Sequence, residues 1–291
     1  GTTGRQDDGT TGRRTTWNVK RFNESDQRTT INQEPRTKNP EPGDQKSEAR
    51  DQSPEPKNQQ PTTNNQQPTT SDVRSPTLTV GFNRRFSPHT VKAKELLSGH
   101  GEPLAMNFTI NAGYIPPDVW VHDPKIGGGR IIGEACHFLD LMVFLTDSHI
   151  TSVAAHQMEK GTATKEDKMS ISLGFADGSV GTVNYFANGS KSYPKEMLEI
   201  FSDQRVLCID NFRITRGYGF KGFRKFKTKR QNKGHQAEFQ AFVDMIKNGG
   251  APLTPLDQLK NVSLASFAAM TSATERRTVN LLEEYQAVFN H

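Results

Sequence analysis

The sequence predicts an α+β fold: a largely antiparallel, open sheet with helices on one face, preceded by a disordered low-complexity tail. Three observations carry this. Segments of alternating apolar and polar residues follow one another from Ile150 onward, joined by short turns, which is the pattern of a meander. Only a few stretches show helical spacing, and they lie before and after that run. Composition changes abruptly near residue 75.

Before that point the chain is rich in Thr, Gln, Asn, Pro, Gly and mixed charge, and its large apolar side chains are almost confined to Trp17, Val19, Phe22, Ile31 and Val73. So little apolar surface cannot offset the entropy of ordering a backbone, so residues 1–75 read as disordered. GTTGR occurs at 1–5 and 9–13, and NQQPTT at 58–63 and 65–70. Polar repeats this short match no solenoid period. The tail reads as a solvated extension or fusion remnant, with an interaction tail as the alternative.

Residues 76–291 read as one domain, with about 215 residues for its core. Thr77–Phe82 alternates and reads as a strand. Ser87 then caps a helix with Pro88 at its first position, running to Leu97. Leu104–Asn111 is a second strand, and the Pro-broken Tyr114–Pro124 a loop. Gly127–Leu145 (GGGRIIGEACHFLDLMVFL) opens with three glycines and reads from Glu134 as a buried helix, apolar nearly all round. Glu134, His137 and Asp140 recur at every third position, close to one face. Ionisable groups on such a helix need a cleft or partners.

Ile150–Glu159, Lys168–Phe175 and Ser179–Phe186 are strands, the last two joined at Asp177-Gly178. Lys195–Ser202 and Arg205–Asn211 form a hairpin around Asp203-Gln204, and Phe212–Lys229 continues as strands. His235–Lys247 is amphipathic through Ala237, Phe239, Phe242, Val243 and Ile246, and stops at Gly249-Gly250. Leu256 to about Ala273 is a last helix, followed by a short tail or helix.

Composition sets limits. The chain has 291 residues, 32% of them hydrophobic, and a net charge of +5, too modest to call for nucleic acid by itself. Its mean hydropathy is −0.73. No run approaches about 18 apolar residues, so no membrane-spanning helix is expected. Cys136 and Cys208 sit in apolar surroundings and read as two buried thiols in a reducing compartment, with no disulfide framework. With no signal pattern at its start, the chain reads as cytoplasmic. Nine basic residues between Arg213 and Lys233 are interleaved with Phe220, Phe223 and Phe226. They suit single-stranded nucleic acid on one reading. On the other, preferred here, the rings pack inward and the cations guard a sheet edge.

Four stretches, VGFNRRFSP, WVHDPKIGGGRIIGEACHFLDL, NGSKSYPKEMLEIF and KGHQAEFQAFVDMI, occur in an order that resembles the C-terminal domain of the Gfo/Idh/MocA oxidoreductases. The resemblance runs from about Leu78 to Val279 and is nearest to a subgroup where this unit ends a larger bi-domain dehydrogenase. It implies a sugar, polyol or related substrate, NAD or NADP as cofactor, a dinucleotide-binding domain ahead of this one, and a homo-dimer or tetramer built through the sheet face. That first domain is not legible: no G-x-G-x-x-G follows a strand and opens a helix, and the family's Glu-Lys-Pro motif is absent. The family's common Asp four residues before the His is here Gly133.

By the same resemblance His137 is the catalytic acid/base, an imidazole suited to proton exchange with a hydroxyl. The bland alternative is a histidine bonded inside the core. Glu134 orients His137 or binds a substrate hydroxyl; alternatively it is a charge favoured at a helix N-terminus. Asp140 reads as a structural partner of backbone or arginine. Trp120, His122, Asp123 and Arg130 surround the Gly loop and suit a sugar, or else anchor the loop. Asn83 and Arg84 lie where the chain would leave the nucleotide domain, within reach of nicotinamide or substrate. Lys191 and Lys195 could rim the same cleft. Glu134-x-x-His137 as a metal pair is disfavoured on a strand-rich chain. No cofactor-binding or metal residue is assigned within this chain.

Overall fold

A computed structural model describes residues 77–98, 101–123, 125–158 and 167–289. The tail at 1–75, with the disorder and repeats read there, lies outside these residues.

The elements run as follows. A 3-10 turn (Asn83–Phe86) leads into α1 (Pro88–Leu97), then β1 (Ala105–Asn111). A second 3-10 turn (Trp120–His122) precedes a π-helical turn (Ile131–Ala135) that continues into α2 (Cys136–Thr146). Next come β2 (Ile150–Gln157), β3 (Lys168–Phe175), β4 (Val180–Phe186), β5 (Glu196–Ser202), β6 (Arg205–Asp210), β7 (Ile214–Tyr218) and β8 (Lys225–Lys227). Two longer helices, α3 (His235–Asn248) and α4 (Leu256–Glu275), follow, then β9 (Val279–Asn280), α5 (Leu281–Glu284) and α6 (Gln286–Phe289).

One nine-stranded sheet holds them together, in the order β8-β7-β6-β5-β1-β4-β3-β2-β9. Every pair is antiparallel except β1 with β4. The expected meander is thus real in two pieces, β2-β3-β4 and β5-β6-β7-β8, with β1 inserted between them. Strand alternation decides which face is covered. Met106, Phe108 and Ile110 of β1, Met169, Ile171 and Leu173 of β3, and Leu198 and Ile200 of β5 are all buried beneath the helices. Phe138, Leu139, Leu141 and Met142 of α2 and Val262, Ala265 and Ala269 of α4 complete this core. Near the edge, α4 side chains serve β2 directly. Asn261 accepts from the Ile150 N–H and donates to its carbonyl, both at 2.9 Å. Ser272 accepts from the Ala155 N–H at 2.9 Å.

Local chemistry matches the expected boundaries at several points. Ser87 caps α1, its Oγ accepting from the His89 N–H at 3.3 Å, and Pro88 takes the first turn. The β3–β4 hairpin turns at Gly178, with φ +87°.

Two expectations are corrected. Thr77–Phe82 is not a strand. A strand needs a neighbour for its ladder bonds, and among the described residues the Phe82 N–H bonds locally, to the Val80 carbonyl at 2.7 Å. The central helix starts earlier than Glu134, because Ile131–Ala135 winds as a π turn. The helix α3 forms as expected and stops at Gly249; none of its residues is buried, and Phe239 and Ile246 of its apolar stripe are exposed. Of the basic stretch, Phe226 packs at a tilt against His89 at 4.9 Å and Phe223 edge-on against Phe220 at 6.3 Å, while Lys225 and Lys227 on edge strand β8 face water. No helix among the described residues is long and apolar enough to cross a membrane.

Candidate functional site

The Gly loop and the helix after it are built as one piece. The Asp123 carbonyl accepts from the N–H groups of Gly127 and Gly128 at 2.9 and 3.0 Å, and the Val121 carbonyl from Gly129 at 3.1 Å. Any Cβ at Gly127 would lie 2.6 Å from the Val121 Cα, so only glycine admits this approach. Gly128 and Gly129 turn the chain at φ +68° and +84°. The helix then begins with its widened π turn, a form that gathers at functional sites.

Glu134 sits in that turn. Its Oε2 accepts from the Tyr185 hydroxyl at 2.6 Å and from Arg130 Nη2 at 3.2 Å, and its Oε1 from Arg130 Nε at 3.1 Å. Burial pushes the Glu134 carboxyl up, but the Arg130 and Tyr185 hydrogen bonds outweigh it and hold the group below its usual range. Arg130 is itself buried. It also donates to the carbonyls of Gly113 and Ala112, at 2.7 and 3.3 Å, and pairs with Asp167 at 3.7 Å. Its guanidinium lies 5.3 Å from the Tyr185 ring centroid.

His137 enters on the first turn of α2, its ring edge-on to Phe82 at 5.5 Å. Its Nδ1 is buried with no hydrogen-bond partner among the described residues. Burial, then the charge of Arg84, lower its pKa to about 4, against the raising effect of Glu196 and Glu134. The imidazole is therefore neutral at pH 7.

Beside it lies a buried charge cluster. Arg84 donates through Nε and Nη2 to the two oxygens of Glu196, at 2.8 and 2.9 Å, and rests 4.5 Å over the Phe138 ring. Lys233 Nζ shares Glu196 Oε1 at 2.5 Å. Burial alone raises the Glu196 carboxyl; the two cations override it and lower it. The next arginine behaves alike: Arg85 chelates Asp140 through Nε at 2.9 and 2.8 Å and reaches Gln258 at 2.8 Å. Asp140 is therefore a structural partner of Arg85.

The other candidates are placed as follows. Asn83 is buried and donates to the Lys233 carbonyl at 2.7 Å. Trp120 is 63% exposed, free to stack. The His122 Nε2 is buried without a partner among the described residues. Asp123 accepts from the Lys125 N–H at 2.8 Å through Oδ1. Lys191 and Lys195 are both exposed, and the charge of Lys195 acts on Glu134 and on Lys233. The structure thus brings Glu134 and Arg130 together, and Arg84 with His137, around the Phe138–Tyr185 ring pair at 6.2 Å. Trp120, His122 and Asp123 stay on the Gly loop. Sequence reasoning missed Tyr185, Glu196 and Lys233. Glu196 had a readable signal: it occupies the same alternating phase of β5 as the buried Leu198 and Ile200. Among the described residues no three His, Cys, Asp or Glu side chains could hold a metal ion.

Comparison with known proteins agrees with this fold. Residues 90–207 match the family model for the GFO/IDH/MocA C-terminal domain. A myo-inositol 2-dehydrogenase of Thermotoga maritima is 26% identical over 220 residues, 71% of this chain and 65% of that protein. An inositol 2-dehydrogenase of Rhizobium meliloti is also 26% identical over 220 residues, 70% of this chain and 65% of that protein. A levoglucosan dehydrogenase solved with NADH and levoglucosan superposes with a TM-score of 0.60 at 20% identity, over 69% of this chain and 65% of that one. The chain thus spans about two thirds of the length of these relatives. The four sequence stretches, the nine-stranded sheet and this match agree: the chain resembles the GFO/IDH/MocA C-terminal domain, which its residues 90–207 match.

Proposed function

We propose that residues 76–291 are the substrate-binding half of an NAD(P)-dependent oxidoreductase acting on a sugar, polyol or derivative, and that the chain is inactive alone. The observation that carries this is the neutral, half-buried His137 three residues from the fixed carboxylate of Glu134. A neutral imidazole is the form that can take the proton of a hydroxyl undergoing oxidation. Glu134 offers an acceptor to the same substrate, and the exposed Trp120 a face for its ring. The polyol class follows the names of the relatives, inositol and levoglucosan dehydrogenases.

The described residues do not fit a dinucleotide. Pyrophosphate needs a Gly-rich turn between a strand and a helix N-terminus, and Gly127–Gly129 follows a 3-10 turn instead. No step is therefore routed through the cofactor. NMR titration of myo-inositol into the chain tests the reading: signals of Glu134 and His137 should move together. If neither moves at 100 mM while other signals do, the site is elsewhere.

A non-catalytic assembly role is the second reading, and one feature favours it. The sheet face away from the helices exposes Val180, Phe186, Phe201 and Tyr218. A dimer or tetramer through that face would cover them. A cytoplasmic location accords with the two free, half-buried cysteines.

A further inference from the structure

We propose that Tyr185 and Arg130 are positioning residues that hold Glu134 as a fixed carboxylate acceptor for one substrate hydroxyl. The identity of that hydroxyl rests on the polyol reading above; the positioning itself rests on the hydrogen bonds.

Tyr185 is a core residue of β4, fully buried between Ile110 of β1 and Met169 of β3. A phenol buried there must find an acceptor. It finds Glu134 Oε2 at 2.6 Å. Burial and the neighbouring Glu134 charge push the Tyr185 hydroxyl far above its usual range, so it keeps its proton and always donates.

Arg130 has five N–H donors in a rigid fork. Nε serves Glu134 Oε1, and Nη2 serves Glu134 Oε2 and the Ala112 carbonyl. Nη1 serves the Gly113 carbonyl and faces Asp167. Four hydrogen bonds and the ion pair with Asp167 engage this buried guanidinium, which commits it to the protein rather than to a sugar. It acts as a strut between the end of β1, the start of β3 and the π turn.

The result is an asymmetric carboxylate. An ionised carboxyl group offers about four lone-pair sites. Two donors converge on Oε2 and one on Oε1, which leaves a free site on Oε1. The Glu134 side chain is 37% exposed, so that site has access to a ligand. Held ionised by three donors, Glu134 does not exchange the proton, and that task falls to His137. The Tyr185 ring also lies 6.2 Å from the ring of Phe138, the residue after His137, so one side chain braces both members of the site.

A merely structural Tyr185 would fill space and satisfy its own hydroxyl; the test separates the two roles. In the chain labelled with carbon-13 at glutamate carboxyls, Glu134→Gln identifies the Glu134 signal. Tyr185→Phe removes one oxygen and leaves the ring. The titration midpoint of Glu134 should then rise by about one pH unit, the effect of losing one hydrogen bond to a charged group. Arg130→Lys should raise it as well, which gives a second reading should Tyr185→Phe fold poorly. Myo-inositol should bind about tenfold more weakly to Tyr185→Phe than to the wild-type chain. An unchanged Glu134 midpoint in both variants overturns the positioning role. A raised midpoint in a chain that never binds myo-inositol upholds positioning and removes the polyol reading instead.

Discussion

The Arg84 guanidinium grips both carboxylate oxygens of Glu196, spanning 112 residues of chain, and the two side chains are 10% and 0% exposed. The pair ties the entry turn of the domain to β5. Removing one partner of a buried pair strands the other charge. Arg84→Ala should lower stability by about 3 kcal/mol, the low end for such a loss because Lys233 still faces Glu196. Urea unfolding of Arg84→Ala, Glu196→Ala and the double variant reads it. The double variant should lose clearly less than the two single losses added; simple additivity would deny the coupling.

Acid should destabilise the domain above the ordinary carboxylate range. Burial, the largest cause for each, lowers His137 and His89 to about 4 from 6.5. Between those values the unfolded chain binds more protons than the folded one, so stability falls as pH drops from 6.5 to 4. Asp140 opposes this. Burial raises it to about 6 from 3.8 against the pull of Arg85, so its protonation favours the folded state in that window. Burial, then the Asp140 charge, also raises Glu238, so two histidines against these two carboxyls leave at most about one net proton, a slope no steeper than about 1.4 kcal/mol per pH unit. Urea midpoints from pH 7 to 4 should show the fall, and His137→Gln should flatten it. A midpoint that is level across this range in the wild-type chain contradicts the assignment.

Nucleotide binding should be weak. Calorimetric titration of NADH and NADPH should give dissociation constants above about 10 μM, weaker than roughly −7 kcal/mol, with no turnover of myo-inositol. Orientation of the hydride donor supplies much of such a reaction's rate, and the described residues build nothing to orient it. A tighter constant would reveal a nucleotide site in this chain.

Much of the fold is legible in local patterns. Lys168–Phe175 alternates in sequence and forms β3 with the same bounds, and Ser87-Pro88 starts α1 as its chemistry dictates. What local patterns cannot carry is partner choice. TLTVGF has the alternation of a strand, yet among the described residues it has no pairing partner. Phe239, Phe242, Val243 and Ile246 have the spacing of a core stripe, and the described fold offers them no core. The candidate site follows the same rule. Glu134 and His137 are readable because they interrupt an apolar run beside three glycines. Tyr185 is not, because in sequence it is one more apolar position of β4. Arg84 is legible as a charge near the site, but its commitment to Glu196 depends on β5, far along the chain.

The place of β1 has a kinetic meaning. The hairpin group β2-β3-β4 and the group β5-β6-β7-β8 can each zip locally, strand after strand. Neither touches the other in the sheet; every ladder bond between them passes through the seven residues of β1. Those bonds join residues as distant as Ala105 and Phe201, and long loops close late because the entropy of closure comes before any contact repays it. Two half-sheets should therefore form first and fuse when β1 docks, and in pulsed hydrogen exchange during refolding the amides of β1 should be the last to gain protection.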